Sequence, residues 1–200
     1  MADFWHNFIL TFIPLFIVID AFGNIPFVIT MGQAAQNERR RKLVNIAIIT
    51  ATLVGLLFLF FGQFILRVMD ISVGSFAIAG GIILVVLSIK YMTTGHMVSV
   101  VQEELMAVVP IGTPLTVGPA TITTLILLAS QYPLWIVLIS FALNMVIAWI
   151  IFVLSNQLTK FLGQGGIKAV SQVFNLLLAA IGVSMILRGL DFTGIIRLGS

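Results

Sequence analysis

The sequence contains no cysteine, and only 8% of its 200 residues are charged. The first absence excludes disulfides and thiolate metal sites and leaves the compartment open. The second excludes a water-solvated surface, because about a quarter of the residues of a soluble domain are charged. Acids are scarcest, seven Asp and Glu against ten Lys and Arg, and Asp20 alone lies deep inside an apolar run. The two histidines, His6 and His96, stand at the edges of such runs. There is no HExxH, GxSxG or Walker A pattern and no pair of intramembrane carboxylates. These gaps exclude intramembrane metallo-, serine and aspartyl proteolysis, and pumping driven by nucleotide hydrolysis. The expectation is a protein that is not an enzyme and carries no cofactor.

What is present is apolar: 60% of residues are hydrophobic, and the mean hydropathy is +1.18. Crossing the hydrocarbon takes about 20 apolar residues. Six segments qualify: about 4–30, 43–68, 72–93, 106–130, 133–159 and 168–190. No polar or Pro/Gly/Ser linker divides them, so residues 1–200 read as one transmembrane domain. Met1–Ile19 lacks a basic start and a small-residue cleavage site, and reads as a mature span. Gln131-Tyr132-Pro133 is a tight turn, and Lys160 to Lys168, with three glycines, is expected to be the last loop.

Cytoplasmic loops carry the excess of Lys and Arg. With the Arg39–Lys42 cluster inside, that side holds seven cations: Arg39, Arg40, Arg41, Lys42, Lys90, Lys160 and Lys168. The other side holds three, Arg67, Arg188 and Arg197. Both termini are therefore expected on the outer, periplasmic or extracellular face. The basic run is an orientation signal resting on anionic lipid, not a nucleic-acid patch.

The first and fourth segments are interrupted. Asp20, Gly23, Asn24 and Pro26 fall within seven residues of the first, and Pro110, Pro114, Gly118 and Pro119 punctuate the fourth. Unwound backbone at membrane depth is tolerated only around a cavity or buried protein. Each half then continues with a long helix and a third helix ending in a cation. Gly23-Asn24 parallels Gly118-Pro119, and Phe76, Ser88 and Lys90 parallel Phe174, Ser184 and Arg188. Three spans is an odd number, so the second half must cross in the opposite sense. The expected fold is an all-α polytopic membrane protein of six transmembrane segments. They form two inverted three-helix repeats, about 4–93 and 106–190, with the first and fourth segments broken near mid-membrane.

Asp20-x-x-Gly23-Asn24-x-Pro26, Gly80-Gly81-Ile82 and Pro110-x-x-x-Pro114-x-x-x-Gly118-Pro119 together resemble the MarC family of bacterial and archaeal inner-membrane proteins. That family is related to small neutral amino acid transporters, and the resemblance covers nearly the whole chain. The family usually has proline after the aspartate, where this chain has Ala21. The resemblance implies a multi-pass inner-membrane protein whose substrate is a neutral amino acid of the glycine or alanine class.

The residues suit such a site. Pro119 favours a first helical position, with Gly118 or Thr116 near the cap, and Asn24 is a good N-cap for a half-helix containing Pro26. Two half-helix N-termini near the midplane would receive a carboxylate, with the hydroxyls of Thr113, Thr116, Thr121 and Thr123 around it. Asp20 has two readings, a turn where the first half-helix ends, or the partner of an ammonium, a proton or a coupling Na⁺. Pro14, Pro110 and Pro114 read as kinks or as parts of the site. Asn144 and Asn175 read as interhelical hydrogen-bonders before substrate ligands. Gly80-Gly81, Ala51 with Gly55, and Ala180 with Ser184 are small-residue patterns for close helix approach, and Trp5, Trp135 and Tyr132 are interfacial anchors. The expected function is ion-coupled secondary transport, with Na⁺ or H⁺ as coupling ion. The alternatives are a passive channel, an exporter of other small metabolites, or a structural membrane protein. The expected partners are the substrate and the lipid bilayer; a homo-oligomer is left open.

Overall fold

The computed structural model describes residues 2–26, 28, 29, 37–94 and 116–196. The main elements are helices: α1 (Ala2–Ile19), α2 (Asn37–Val68), α3 (Val73–Thr94), α4 (Pro119–Gln131), α5 (Leu134–Val153) and α6 (Ser155–Phe192). Four of them, α2, α3, α5 and α6, are long and apolar enough to cross a membrane, while α1 and α4 are shorter apolar helices. These two belong to the segments in which the sequence predicts breaks. Pro110, Thr113 and Pro114 lie outside the described residues.

Local chemistry sets the boundaries. α2 ends on Arg67, a cation favourable to the helix C-terminus, and Asp70 takes the left-handed conformation (φ 53°) that reverses the chain. Ser72 then caps α3, its hydroxyl accepting from Ser75 N at 3.0 Å. α4 starts with Gly118 as N-cap and Pro119 as first residue, the position where a missing N–H costs nothing. Past α6, Gly194 (φ 74°) supplies the left-handed turn that closes the helix.

The core explains the layering. One buried cluster joins Leu15, Ile19, Ala21 and Ile25 to Val117, Leu125 and Leu128 of the α4 segment and to Ala51, Phe141 and Phe152 of α2 and α5. A second joins Ile17 and Val18 to Ala120 and Leu127 and to Ala77, Leu84, Leu178 and Met185 of α3 and α6. The end of α1 and all of α4 thus lie between an α2–α5 layer and an α3–α6 layer. α4 is accordingly buried nearly all round, from Ala120 and Thr121 through Thr123–Leu128. Glycines let the layers close: the Phe141 ring sits against Gly55, Ile126 against Gly62, and Thr123 against Gly80.

Contacts also sort the two ends. The Phe4 ring stacks on Trp135 at 5.6 Å, and Arg188 donates to Gln131 Oε1 at 3.0 Å, so the chain's start, the 131–133 turn and the end of α6 share one end. Trp5 and Trp135 are exposed there. At the other, Trp149 donates to Asn45 Oδ1 at 2.8 Å, tying the end of α5 to the start of α2.

Three expectations are corrected. The segment from Lys160 to Lys168 is helical on both sides of Gly163, whose φ of 66° and ψ of 168° kink α6 into two helical stretches, so the expected loop is reduced to a break at one glycine. The fifth segment ends at Val153 and not near 159. Ala180 and Ser184 face outward and are not an interhelical seam.

Candidate functional site

The break after α1 is built by Asp20, Gly23 and Asn24. Asp20 adopts φ 41°, a left-handed conformation that Asp tolerates better than most residues because its short side chain bonds locally. Its Oδ1 accepts from Gly23 N at 3.0 Å, the turn-type bond expected where the first half-helix ends. Its Oδ2 is buried and has no hydrogen-bond partner. Ala21, where the family usually has proline, is itself buried, and the chain breaks without a proline there.

Asn24 stands where the sequence predicts an N-cap: its carbonyl accepts from Val28 N at 3.1 Å, so its backbone begins the next helical turn. Its side-chain nitrogen points backward, with Nδ2 donating to Asp20 O at 3.0 Å and Ile19 O at 3.3 Å. The last carbonyls of a helix lack internal partners, and the buried Asn24 amide supplies a donor. Pro26 is exposed at the start of the second half-helix, where it removes no needed bond.

The second break is described from Thr116. Thr116 and Val117 are buried. The N-cap residue Gly118 has no side chain with which to cap α4. Gly118 has ordinary extended geometry (φ −84°, ψ −175°), and a Cβ added to it would meet nothing within 4 Å. The hydroxyls expected around the α4 N-terminus turn elsewhere as donors: Thr121 to Thr116 O at 3.1 Å and Thr123 to Pro119 O at 2.8 Å. Thr123 also packs on Gly80, on the α3 side of α4, away from the break.

The two short helices are in contact, and Ala21, Ile25 and Val117, from the two breaks, belong to one buried cluster. At 1.5 Å per residue, Asp20 lies about 24 Å along α1 from Phe4, and Gly118 about 20 Å along α4 from Gln131. Both chains start from the end marked by Phe4 and Trp135, so a helix C-terminus and a helix N-terminus reach a similar depth.

Sequence reasoning missed the α6 contribution. Phe174 makes edge contacts with Phe16 at 5.6 Å and with Phe22 at 5.8 Å, gripping α1 on both sides of the break. Ser171, one turn earlier, lies against Gly23 and Asp20: a Cβ at Gly23 would overlap Asp20 Oδ2 and come within 2.9 Å of Ser171 Oγ. Tyr91 of α3 is near enough to interact electrostatically with Asp20. Asn175, one turn beyond Ser171 on the same face, is buried with Oδ1 unpartnered.

Asn144 lies farther along α1. Its Nδ2 donates to Phe12 O at 3.2 Å and Ser140 O at 2.9 Å, an interhelical link beside the 2.7 Å hydroxyl pair Thr11–Ser140. Its Oδ1 is unpartnered.

Comparison with known proteins agrees on a family. A UPF0056 membrane protein of Buchnera aphidicola subsp. Schizaphis graminum is 33% identical, over 92% of this chain and 96% of the relative. The UPF0056 inner membrane protein YhgN of Escherichia coli K12 is 31% identical, over 88% and 92%. A UPF0056 membrane protein of Methanocaldococcus jannaschii is 32% identical, over 98% and 90%. No solved structure matches the chain. The profile described as "MarC family integral membrane protein" matches residues 5–193, and the chain belongs to this family of multi-pass membrane proteins.

Proposed function

We propose that the chain is a secondary transporter of small neutral amino acids, of the glycine or alanine class, coupled to Na⁺ or H⁺. It would work by alternating access around the breaks at 20–24 and 116–118. The observation that carries this reading is the buried, unpartnered Asp20 Oδ2 at the end of one short helix, which packs against a second short helix that starts at Gly118-Pro119. The α4 N-terminus, with Gly118 before it, suits the carboxylate of the amino acid, and the Asp20 carboxylate suits the coupling cation. A structural membrane protein has no use for either. The glycine or alanine class rests on the family resemblance.

The inverted repeat belongs to the same proposal. Exchanging α1 with α4, α2 with α5 and α3 with α6 leaves the set of contacts between the halves unchanged: α1–α5 becomes α4–α2, α1–α6 becomes α4–α3, and α3–α6, α2–α5 and α1–α4 map onto themselves. Such symmetry supports two states of similar energy, as alternating access requires. The relative YhgN is described as an inner membrane protein, which supports the same location here. The seven-to-three cation bias supports outward-facing termini. Reconstitution into liposomes with labelled glycine or alanine, under imposed Na⁺ and H⁺ gradients, tests the reading. Accumulation driven by one gradient is expected, and equilibration regardless of gradient contradicts it.

A further inference from the structure

The gap beside Gly23 involves groups from both halves of the chain. Asp20 is 2% exposed, and its Oδ1 is occupied by Gly23 N–H. Oδ2 and Ser171 Oγ of α6 both lie on the face of Gly23 where a side chain would project. A residue with even one carbon there would collide with the carboxylate, so glycine keeps the two oxygens accessible to each other. Oδ2 has no hydrogen-bond partner among the described residues. The carbonyl end of α1 adds partial negative charge at the same place. A buried carboxylate against a helix C-terminus is stabilised by a bound positive ion or a proton.

The occupant is constrained by charge and size. No second acid joins Asp20, and no group of three His, Cys, Asp or Glu occurs among the described residues, so the charge to be matched is one. A single added carbon at Gly23 would meet both Oδ2 and Ser171 Oγ, so the face that they share with Gly23 suits a small ion better than an ammonium with a carbon skeleton behind it. We propose that Asp20 and Ser171 form a site for one monovalent cation, a sodium ion bridging the two oxygens or a proton on the Asp20 carboxylate. This rests on the transport reading and deepens it, because it separates the coupling ion from the substrate. Occupancy would tie the broken segment of the first half to α6 of the second, where Phe174 already grips it. Cation binding would thereby bias the arrangement of the two halves.

The test is thermal unfolding of purified protein in nanodiscs, without amino acid. One arm titrates NaCl against choline chloride at fixed pH, and the other titrates pH without sodium. Among the described residues Tyr91 is the other titratable group that interacts with Asp20, so Tyr91→Phe is run in the pH arm as a control. Wild type is expected to shift its melting temperature in one arm, sodium or proton according to which responds, with Tyr91→Phe shifting alike. Asp20→Asn should respond in neither. Ser171→Ala should melt cooperatively but need about tenfold more cation for the same shift, and Ser171→Thr should restore the wild-type response. No response of wild type in either arm overturns the site, as does a Ser171→Ala titration identical to wild type. Failure of the transport reading registers separately, as absent amino acid uptake by a wild-type protein whose melting still answers to the cation.

Discussion

Gly81 of α3 and Gly182 of α6 rest on each other's backbone: a methyl at Gly81 would overlap Gly182 O, and one at Gly182 would come within 2.8 Å of Gly81 O. One further pair, Gly74 and Gly189, repeats the contact at 2.9 and 2.7 Å. The numbering rises along one helix as it falls along the other, so α3 and α6 run antiparallel through two glycine contacts seven residues apart. In lipid, where apolar side chains gain nothing by meeting, such close approach is what joins helices.

Gly81→Val should therefore destabilise the bundle by about 1–3 kcal/mol, the usual range for overpacking a tight contact. Gly165→Ala, where an added Cβ meets nothing within 4 Å, should be neutral or slightly stabilising. Thermal unfolding in detergent compares the two. Equal stability of Gly81→Val and wild type would mean that the α3–α6 contact is looser than described.

Gly118→Val should fold, because its backbone geometry suits any residue and its surroundings are empty. It should nonetheless abolish binding of glycine or alanine, by filling the space before the α4 amides. Calorimetry on a well-folded variant decides. An unchanged isotherm would remove Gly118 from the site.

Much of this was legible in the sequence, and the rest was hidden for specific reasons. Proline and glycine punctuate helices wherever they occur, so the breaks near Asp20 and before Pro119 could be read directly. Ser171 could not, since a serine on a continuous apolar helix carries no signal of its own, and only the fold brings it to Gly23. Asn24 was legible as a helix-end residue, but that its Nδ2 also serves the carbonyls at the end of α1 was not, because sequence does not say which carbonyls are left over. Thr121 and Thr123 have hydroxyls that suit a ligand, yet a buried helical threonine also bonds one turn back. The single-residue parallels between halves, Phe76 with Phe174 among them, do not coincide with the glycine contacts that join α3 to α6.

Both termini should face outward. A C-terminal reporter that is active only outside the cytoplasm should give signal, and neutralising Arg39, Arg40 and Arg41 should produce a mixed population as the cation bias falls. Strong activity from a cytoplasm-only reporter at the same position would reverse the assignment.

The central claim is that the Asp20 charge is used in transport and not merely in a turn. Asn tolerates the same left-handed conformation and keeps an Oδ1 to accept from Gly23 N, so Asp20→Asn should insert and fold. Its melting temperature should equal or exceed that of the wild type without added cation, because a buried uncompensated charge is gone. The deciding measurement is gradient-driven uptake of labelled glycine or alanine into liposomes by folded Asp20→Asn, beside wild type. The account predicts that wild type concentrates substrate and that the variant does not. A variant that still concentrates it, with the same ion dependence, would contradict the account.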